Sequence, residues 1–161
     1  MLHSSMANYT RIFLEGYSYF ITVATHQRNP ILIANIELLR QSFKESKRKY
    51  AYRIDAIVVL PDHFHIILTP KHAKEYPKII SAIKRYFTRH CDVHYYAHLT
   101  QSASRHNRGI KPVWQKRFYE HTIRNDKDMH EKIQYMYHNP VKHRYVEDPQ
   151  AWEYSSFYKR T

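Results

Sequence analysis

Two apolar runs separated by a two-residue turn constrain the fold of this chain more than any other feature. The runs are Tyr52 to Leu60 and His63 to Thr69, and Pro61-Asp62 lies between them. Their composition is that of buried β-strands and the linking dipeptide is a turn signal, so they predict an antiparallel hairpin. Because successive strand side chains point to opposite faces, His63 and His65 share one face and Phe64 lies on the other.

The histidine pair has two interpretations on the residues alone. Neutral imidazole is a common metal ligand, and two of them on one strand face can close on a single ion. With 13 histidines in 161 residues, however, a His-x-His is expected about once by chance. The alternative is therefore a pair of structural histidines that are hydrogen-bonded within the strand, since an unpaired buried ring is unfavourable.

The charge of the chain favours a polyanionic partner. Lys and Arg number 26 against 14 Asp and Glu, which gives a formal net charge of +12 and a pI near 9.8. Fifteen tyrosines accompany the 13 histidines, and flat rings among cations suit the stacking of unpaired bases. The alternative is a basic surface without a partner. Two glycines are too few for a Walker loop or a dinucleotide fingerprint, so no nucleotide cofactor is expected.

Length and cysteine content predict a single cytoplasmic domain over residues 1–161. A chain of this length can bury a core of its own, and no repeat, low-complexity tract or linker marks a second unit. The lone Cys91 excludes an internal disulfide and fits a reducing compartment. No apolar run approaches the length of a membrane span and no segment resembles a signal peptide, so we expect a soluble protein without a membrane partner.

Hydrophobic periodicity predicts the element order β-α-β-β-α-β-α. Apolar residues at helical spacing and at strand spacing define the remaining elements. The polar, basic stretch from Thr100 to Lys111 is predicted to be a loop without regular structure. The other predicted elements are a strand from Tyr17 to Thr25, a helix from Ile31 to Tyr50, a helix from Pro77 to Cys91, an extended segment from Val113 to His121, and a helix from Asp126 to His138 that Pro140 ends.

Basic residues gather on the second helix and on the loop that follows it. Four cations fall within about 60° of one another at 100° per residue, opposite the apolar face of that helix. A solvated charged face is the ordinary explanation for such a stripe. The candidate contacts to nucleic acid are the stripe Lys74, Lys78, Arg85 and Arg89, the loop cations Arg105, Arg108 and Lys111, and also Arg11, Lys116 and Arg117.

The last predicted helix carries a second candidate for chemistry. Tyr135 and Asn139 are four residues apart and therefore lie on one helix face, beside an apolar stripe that includes Met136. Tyr137 is turned about 200° from Tyr135 and cannot serve the same site. The alternative for Tyr135 is a residue at the rim of the core with its hydroxyl in water.

Five blocks of the sequence, in order, resemble the REP-associated tyrosine transposases, single-tyrosine members of the HUH endonuclease superfamily. They span nearly the whole chain. The chain departs from the family near its N-terminus, where it has Glu15-Gly16 in place of a double glycine and fewer arginines around Arg11. The blocks are Tyr17–Thr22, Val58–His65, Trp114–Arg124, Tyr135–Lys142 and Trp152–Phe157.

The resemblance implies a fold, a site and a substrate. The fold is an α+β sandwich with an antiparallel sheet of RNA-recognition-motif, or ferredoxin-like, type and helices packed on it. His63 and His65 are the implied metal ligands, Asn139 completes the site for Mg²⁺ or Mn²⁺, and Tyr135 is the nucleophile. The implied partner is single-stranded DNA folded into the hairpin of a repetitive extragenic palindrome, cut and rejoined through a 5′-phosphotyrosine by a monomer or weak homodimer.

Two other classes of function remain compatible with the sequence. A single-strand nucleic-acid binding module would account for the sheet, the charge and the aromatic residues without a metal. A metal-dependent hydrolytic nuclease would use the same ion but activate water, which would leave Tyr135 dispensable.

Overall fold

The computed structural model describes residues 16–160, so the candidate DNA contact Arg11 lies outside the described residues. Every strand and every main helix predicted from the sequence is present, but bounds differ by up to six residues, because the fourth strand begins at Tyr119 where the sequence predicted an extended segment from Val113. The elements are β1 (Ser18–Ala24), α1 (Ile36–Lys49), β2 (Tyr52–Leu60), β3 (His63–Pro70), α2 (Tyr76–His90), α3 (Ala103–Asn107), β4 (Tyr119–Ile123) and α4 (Asp126–Lys142).

The four strands form one sheet in the order β2-β3-β1-β4, and all neighbouring pairs are antiparallel. Each helical crossover skips one strand, so that β1 and β2 flank β3 while β3 and β4 flank β1. This β-α-β-β-α-β arrangement is the ferredoxin-like topology. The predicted α+β fold class and the predicted hairpin of β2 and β3 are confirmed.

The two faces of the sheet are covered by different helices. On the back face, Phe64 and Ile66 of β3 are fully buried in a cluster that includes Leu39 of α1 and Phe87 of α2. On the front face, a smaller cluster joins apolar residues of β1, β2 and β3 to Met136 of α4. The back face is therefore a closed core, while the front face is only partly covered by α4.

The prediction of an irregular loop from Thr100 to Lys111 is wrong in part. The segment contains α3, a helix of five residues. The Ser102 side chain accepts a hydrogen bond from the backbone N–H of Arg105, which is the capping interaction that starts a helix. A short helix of polar residues has no apolar periodicity, and the serine cap was its only sequence signal.

The prediction that Pro140 ends the last helix is also wrong, because α4 continues through Pro140 to Lys142. Proline removes one hydrogen bond donor, yet Pro140 is buried and lies inside the helix. The helix ends instead at Lys142, and Arg144, two residues later, adopts the left-handed φ of 64°. Arg144 N–H donates to Val141 O and Tyr145 N–H to Pro140 O, the Schellman pattern of a helix end.

The segment after α4 returns to the sheet and lies along the outer edge of β2. The Val59 backbone N–H donates to Tyr154 O at 2.8 Å and the Ser156 N–H donates to Ile57 O at 2.9 Å. The indole N–H of Trp152 donates to Val59 O at 2.8 Å. Across residues 16–160, no helix combines the length and the apolar composition that crossing a membrane requires.

Candidate active site

A cavity of about 640 Å³ opens on the front face, between α4 and strands β1, β3 and β4. Its wall contains both histidines of β3 and Tyr135, so the structure brings three of the four predicted catalytic and metal-site residues to one place. The residues that line it are Phe20, Thr22, Arg28, His63, His65, Tyr119, Glu131, Lys132, Tyr135, Lys142 and His143.

His65 presents one ring nitrogen to the protein and leaves the other without a partner. Its Nδ1 lies 2.7 Å from Thr22 Oγ1 on the neighbouring strand, whereas its buried Nε2 has no hydrogen bond partner in the described residues. Burial, and to a smaller extent the nearby His63, lower the pKa of His65 to about 3, so the ring is neutral at pH 7. When Nδ1–H donates to Thr22, the Nε2 lone pair is available to a ligand.

His63 is held by the turn that precedes β3. Its Nδ1 lies 2.7 Å from Asp62 Oδ1 and 3.0 Å from an Arg28 guanidinium nitrogen. Burial lowers the pKa of His63 against the opposing hydrogen bond to Asp62, so the neutral ring donates Nδ1–H to the carboxylate. A carboxylate behind a histidine fixes its tautomer and orientation, which is the arrangement found behind metal-bound histidines. The second nitrogen, Nε2, is then the acceptor.

Tyr135 stands beside the histidines with its ring partly exposed. The centroid of its ring lies 5.2 Å from that of His65 and 6.0 Å from that of Phe20, and the side chain is 42% exposed. Tyr137 packs against Phe157 and does not line the cavity, as helix phase predicted. A second tyrosine, Tyr119 of β4, does line it, which sequence reasoning missed.

Asn139 lies on α4 one turn after Tyr135. It is fully buried and does not line the cavity. Neither its Oδ1 nor its Nδ2 has a hydrogen bond partner among the described residues. An unsatisfied buried amide costs roughly 1–3 kcal/mol per group, so such a residue calls for a bound partner. The unpaired Asn139 Oδ1 and His65 Nε2 are both atoms that a divalent ion can use.

The donor atoms of this region suit a small divalent cation. Two neutral imidazoles and one amide oxygen are a mixed N/O set of the kind that Mn²⁺ accepts and that Mg²⁺ tolerates when waters complete the shell. Among residues 16–160, no three side chains of His, Cys, Asp or Glu are grouped to hold a metal. A site here therefore depends on Asn139 in addition to the histidine pair.

A strained turn carries Arg28 into the cavity. Gln27 and Arg28 both adopt left-handed backbone conformations, with φ of 52° and 54°, in the turn after β1. Thr25 holds this turn, because its Oγ1 donates to Asn29 O and its N–H donates to Asp62 O. Strain of this kind persists where the surroundings impose it, often at functional sites. Nothing in the sequence signals the strain, since neither residue is glycine.

A second concave surface, the cationic groove, runs between the C-terminal half of α2 and the segment 102–116. It has a volume of about 1030 Å³. Trp114 joins its two walls, since its indole N–H donates to Lys84 O at 3.1 Å. Six of the ten predicted DNA contacts line it, namely Arg85, Arg89, Arg105, Arg108, Lys111 and Lys116.

The other predicted DNA contacts lie elsewhere. Lys74, Lys78 and Arg117 are exposed but do not line the groove. The stripe predicted on α2 is thus divided, because its C-terminal half faces the groove and its N-terminal half faces solvent.

Comparison with known proteins places this architecture in a family. Residues 14–139 match the family model described as "Transposase IS200 like". A REP-associated tyrosine transposase of Escherichia coli K12 is 34% identical over 156 residues, covering 96% of this chain and 84% of that protein. A Haemophilus influenzae relative is 36% identical over 161 residues, covering 96% of this chain and 87% of that protein.

The fold is matched by a solved structure of a REP-associated tyrosine transposase bound to a REP hairpin. The TM-score is 0.76 at 33% identity, and the match covers 94% of this chain and 83% of that chain.

Proposed function

This chain belongs to the IS200-like transposases and, within them, to the REP-associated tyrosine transposases, and we propose that it cleaves and rejoins hairpin DNA through a covalent bond to Tyr135. The observation that supports this most strongly is the cavity of the front face, where Tyr135 stands 5.2 Å from the ring of His65. A phenol, two neutral imidazoles and three basic side chains in one cleft suit attack on a phosphodiester.

The proposed substrate is single-stranded DNA folded into a hairpin. The solved relative is bound to a REP hairpin, and this chain carries a cationic groove large enough to follow a nucleic-acid backbone. Cations in a groove bind phosphates and set the position of the DNA. We assign the hairpin to the groove and the scissile strand to the cavity.

In the proposed reaction the Tyr135 hydroxyl attacks the phosphorus of one phosphodiester. A bond forms between Tyr135 Oη and phosphorus, the bond from phosphorus to the 3′-oxygen breaks, and the strand is left with a 3′-hydroxyl and a 5′-phosphotyrosine. The phenolic proton leaves to solvent, because Tyr135 is exposed, and the departing 3′-oxygen takes a proton. Rejoining is the reverse step with a new 3′-hydroxyl, so neither ATP nor water is consumed.

His63, His65 and Asn139 are the residues that would hold a divalent ion, Mg²⁺ or Mn²⁺. When bound, the ion supplies Lewis-acid stabilisation of charge on the scissile phosphate. The protein's own contribution is to hold the rings in place. Thr22 and Asp62 orient the two imidazoles through their Nδ1 atoms, and burial keeps both rings neutral.

The test is incubation with labelled hairpin DNA and Mn²⁺, followed by a denaturing gel. Wild type should give a band in which DNA stays attached to protein, and Tyr135→Phe should give none. Tyr137→Phe is the matched control on the same helix, and Tyr119→Phe is the sharper one because Tyr119 shares the cavity wall. Both controls should retain the adduct.

The outcomes separate the three classes of function. An adduct that disappears in Tyr119→Phe and persists in Tyr135→Phe means that the nucleophile is Tyr119. Cutting by Tyr135→Phe without any adduct supports a hydrolytic nuclease. Binding without cutting or linking by wild type, with either ion, supports a module that only binds nucleic acid.

A further inference from the structure

Three cations line the cavity of the front face, and their partners differ. Arg28 Nε lies 3.0 Å from an Asp62 oxygen, and Lys132 Nζ lies 3.2 Å from an Asp128 oxygen. Lys142 takes part in no ion pair with any residue from 16 to 160. Of the three, Lys142 is therefore the one whose charge is left for a ligand.

Lys142 reaches the nucleophile because α4 does not stop at Pro140. It lies seven residues after Tyr135, which is two helical turns and about 20° of phase, so the two side chains share one face. Long helical side chains point back toward the N-terminus, and Lys142 Nζ accordingly lies 5.4 Å from the centroid of the Tyr135 ring. A helix that ended at His138 would not place Lys142 there.

Among the described residues that line the cavity, the acidic side chain is that of Glu131, and it is too far along α4 to neutralise the Lys142 ammonium. Glu131 also lines the cavity and forms no ion pair within the described part of the chain. It lies eleven residues before Lys142 on α4, which is about 16 Å along the helix axis. The ammonium of Lys142 therefore faces open cavity beside the ring of Tyr135.

We propose that Lys142 is a catalytic residue of this transposase, whose ammonium binds a non-bridging oxygen of the phosphate that Tyr135 attacks. Charge on that oxygen rises as the new bond to phosphorus forms, and a cation already in place stabilises it. Lysine suits this role as a point charge for phosphate. No proton is transferred by Lys142 in this step, and its contact with the ring keeps nucleophile and phosphate together. The inference rests on the proposed function.

The first experiment measures adduct formation in single turnover at saturating hairpin DNA with Mn²⁺. Lys142→Met should lower the rate constant about 100-fold, since one preorganised donor is typically worth that much or more. Affinity for uncleaved hairpin should change less than about threefold, since one phosphate contact among many contributes little to binding. Lys142→Arg should restore the rate constant to within about tenfold of wild type.

The matched control is Lys127→Met, which removes the same charge from the same helix. Lys127 is exposed and does not line the cavity. Its rate constant should equal that of wild type. Thermal melts of both variants should match wild type, because both side chains are exposed.

The second experiment asks whether Lys142 contacts the scissile phosphate itself. A methylphosphonate at that position removes the negative charge of one non-bridging oxygen. It should slow wild type strongly and Lys142→Met at least about tenfold less, because two changes to one contact are not additive. A residue with a purely structural role would leave the effect of the methylphosphonate unchanged.

The inference is overturned if Lys142→Met reacts at the rate of Lys127→Met, or if the methylphosphonate slows wild type and Lys142→Met by the same factor. These outcomes require that wild type forms the adduct. If wild type forms none with any ion, the proposed function fails, and with it this inference. If wild type forms it and Lys142→Met does so equally well, only the role of Lys142 fails.

Discussion

Phe64 and His65 are neighbours on β3, yet one side chain lies in an apolar core and the other lines a cavity. Phe64 points to the back face, where it packs edge-on against Phe43 and Trp114 in a closed apolar core. His65 points to the front face, where its buried Nε2 has no hydrogen bond partner in the part of the chain that the structure describes. The back face is packed with apolar side chains, whereas the front face leaves polar atoms of His65 and Asn139 without hydrogen bond partners among residues 16–160. The contrast indicates that the stability supplied by the apolar core offsets the free-energy cost of the unpaired polar atoms on the front face.

The largest expected effect separates these two neighbours. Phe64→Ala should lower the free energy of unfolding by about 3–5 kcal/mol, because it opens a cavity in the back-face core. His65→Ala should cost less stability than Phe64→Ala, because it removes an unpaired buried nitrogen together with the Thr22 hydrogen bond and the ring contact with Phe20, and it should abolish adduct formation. Urea unfolding and the denaturing gel measure the two quantities. A large loss of stability in His65→Ala would mean that the front face is part of the core.

A divalent ion that binds at the front face should stabilise the folded chain. Added Mn²⁺ at 100 times its dissociation constant should raise the free energy of unfolding by about 2.7 kcal/mol, because it binds the folded chain alone. Melts with and without Mn²⁺ measure this, and a chelator should reverse it. The rise should be lost in His65→Ala and reduced in Asn139→Ala. An equal rise in Asn139→Ala would remove Asn139 from the set of ligands.

Substitutions in the cationic groove should change DNA binding alone, and this is the smallest of the expected effects. Replacing Arg85 and Arg108 by Ala should weaken hairpin binding and reduce the slope of log affinity against log salt by about 1.5, as two phosphate contacts are lost. Stability and the rate constant at saturating DNA should not change. Filter binding over a range of salt measures the slope. Lys74→Ala with Lys78→Ala, outside the groove, is the matched control, and equal slopes in both double mutants would mean that the groove is not the binding surface.

The sequence predicted the parts of the molecule that depend on local patterns. The alternation of β3 predicted that His63 and His65 face away from Phe64, and helix phase predicted that Tyr135 and Tyr137 diverge. Both outcomes follow from chain geometry alone. Family resemblance predicted the fold, which the structure and the solved relative confirm.

The parts that the sequence did not predict depend on tertiary contacts. The passage of α4 through the buried Pro140 runs against the local signal of a proline, so the position of Lys142 was missed. The left-handed turn at Gln27 and Arg28 is held by Thr25 and the turn before β3, more than 30 residues away in sequence. The cationic groove joins α2 to a segment that sequence periodicity described only as a loop. In each case the deciding partner is distant along the chain.

The hydrogen bonds between β2 and residues 154–156 have a consequence for folding during synthesis as well as for stability. An uncovered strand edge offers its N–H and C=O groups to any other extended chain. The partners of Ile57 and Val59 lie almost a hundred residues later in the sequence. During synthesis, this edge of β2 is therefore exposed at a stage when the rest of the sheet can already form. A chain truncated after α4 would have its cavity assembled but the edge of β2 unpaired. Such a chain would be prone to aggregate through β-strand pairing with other copies of itself.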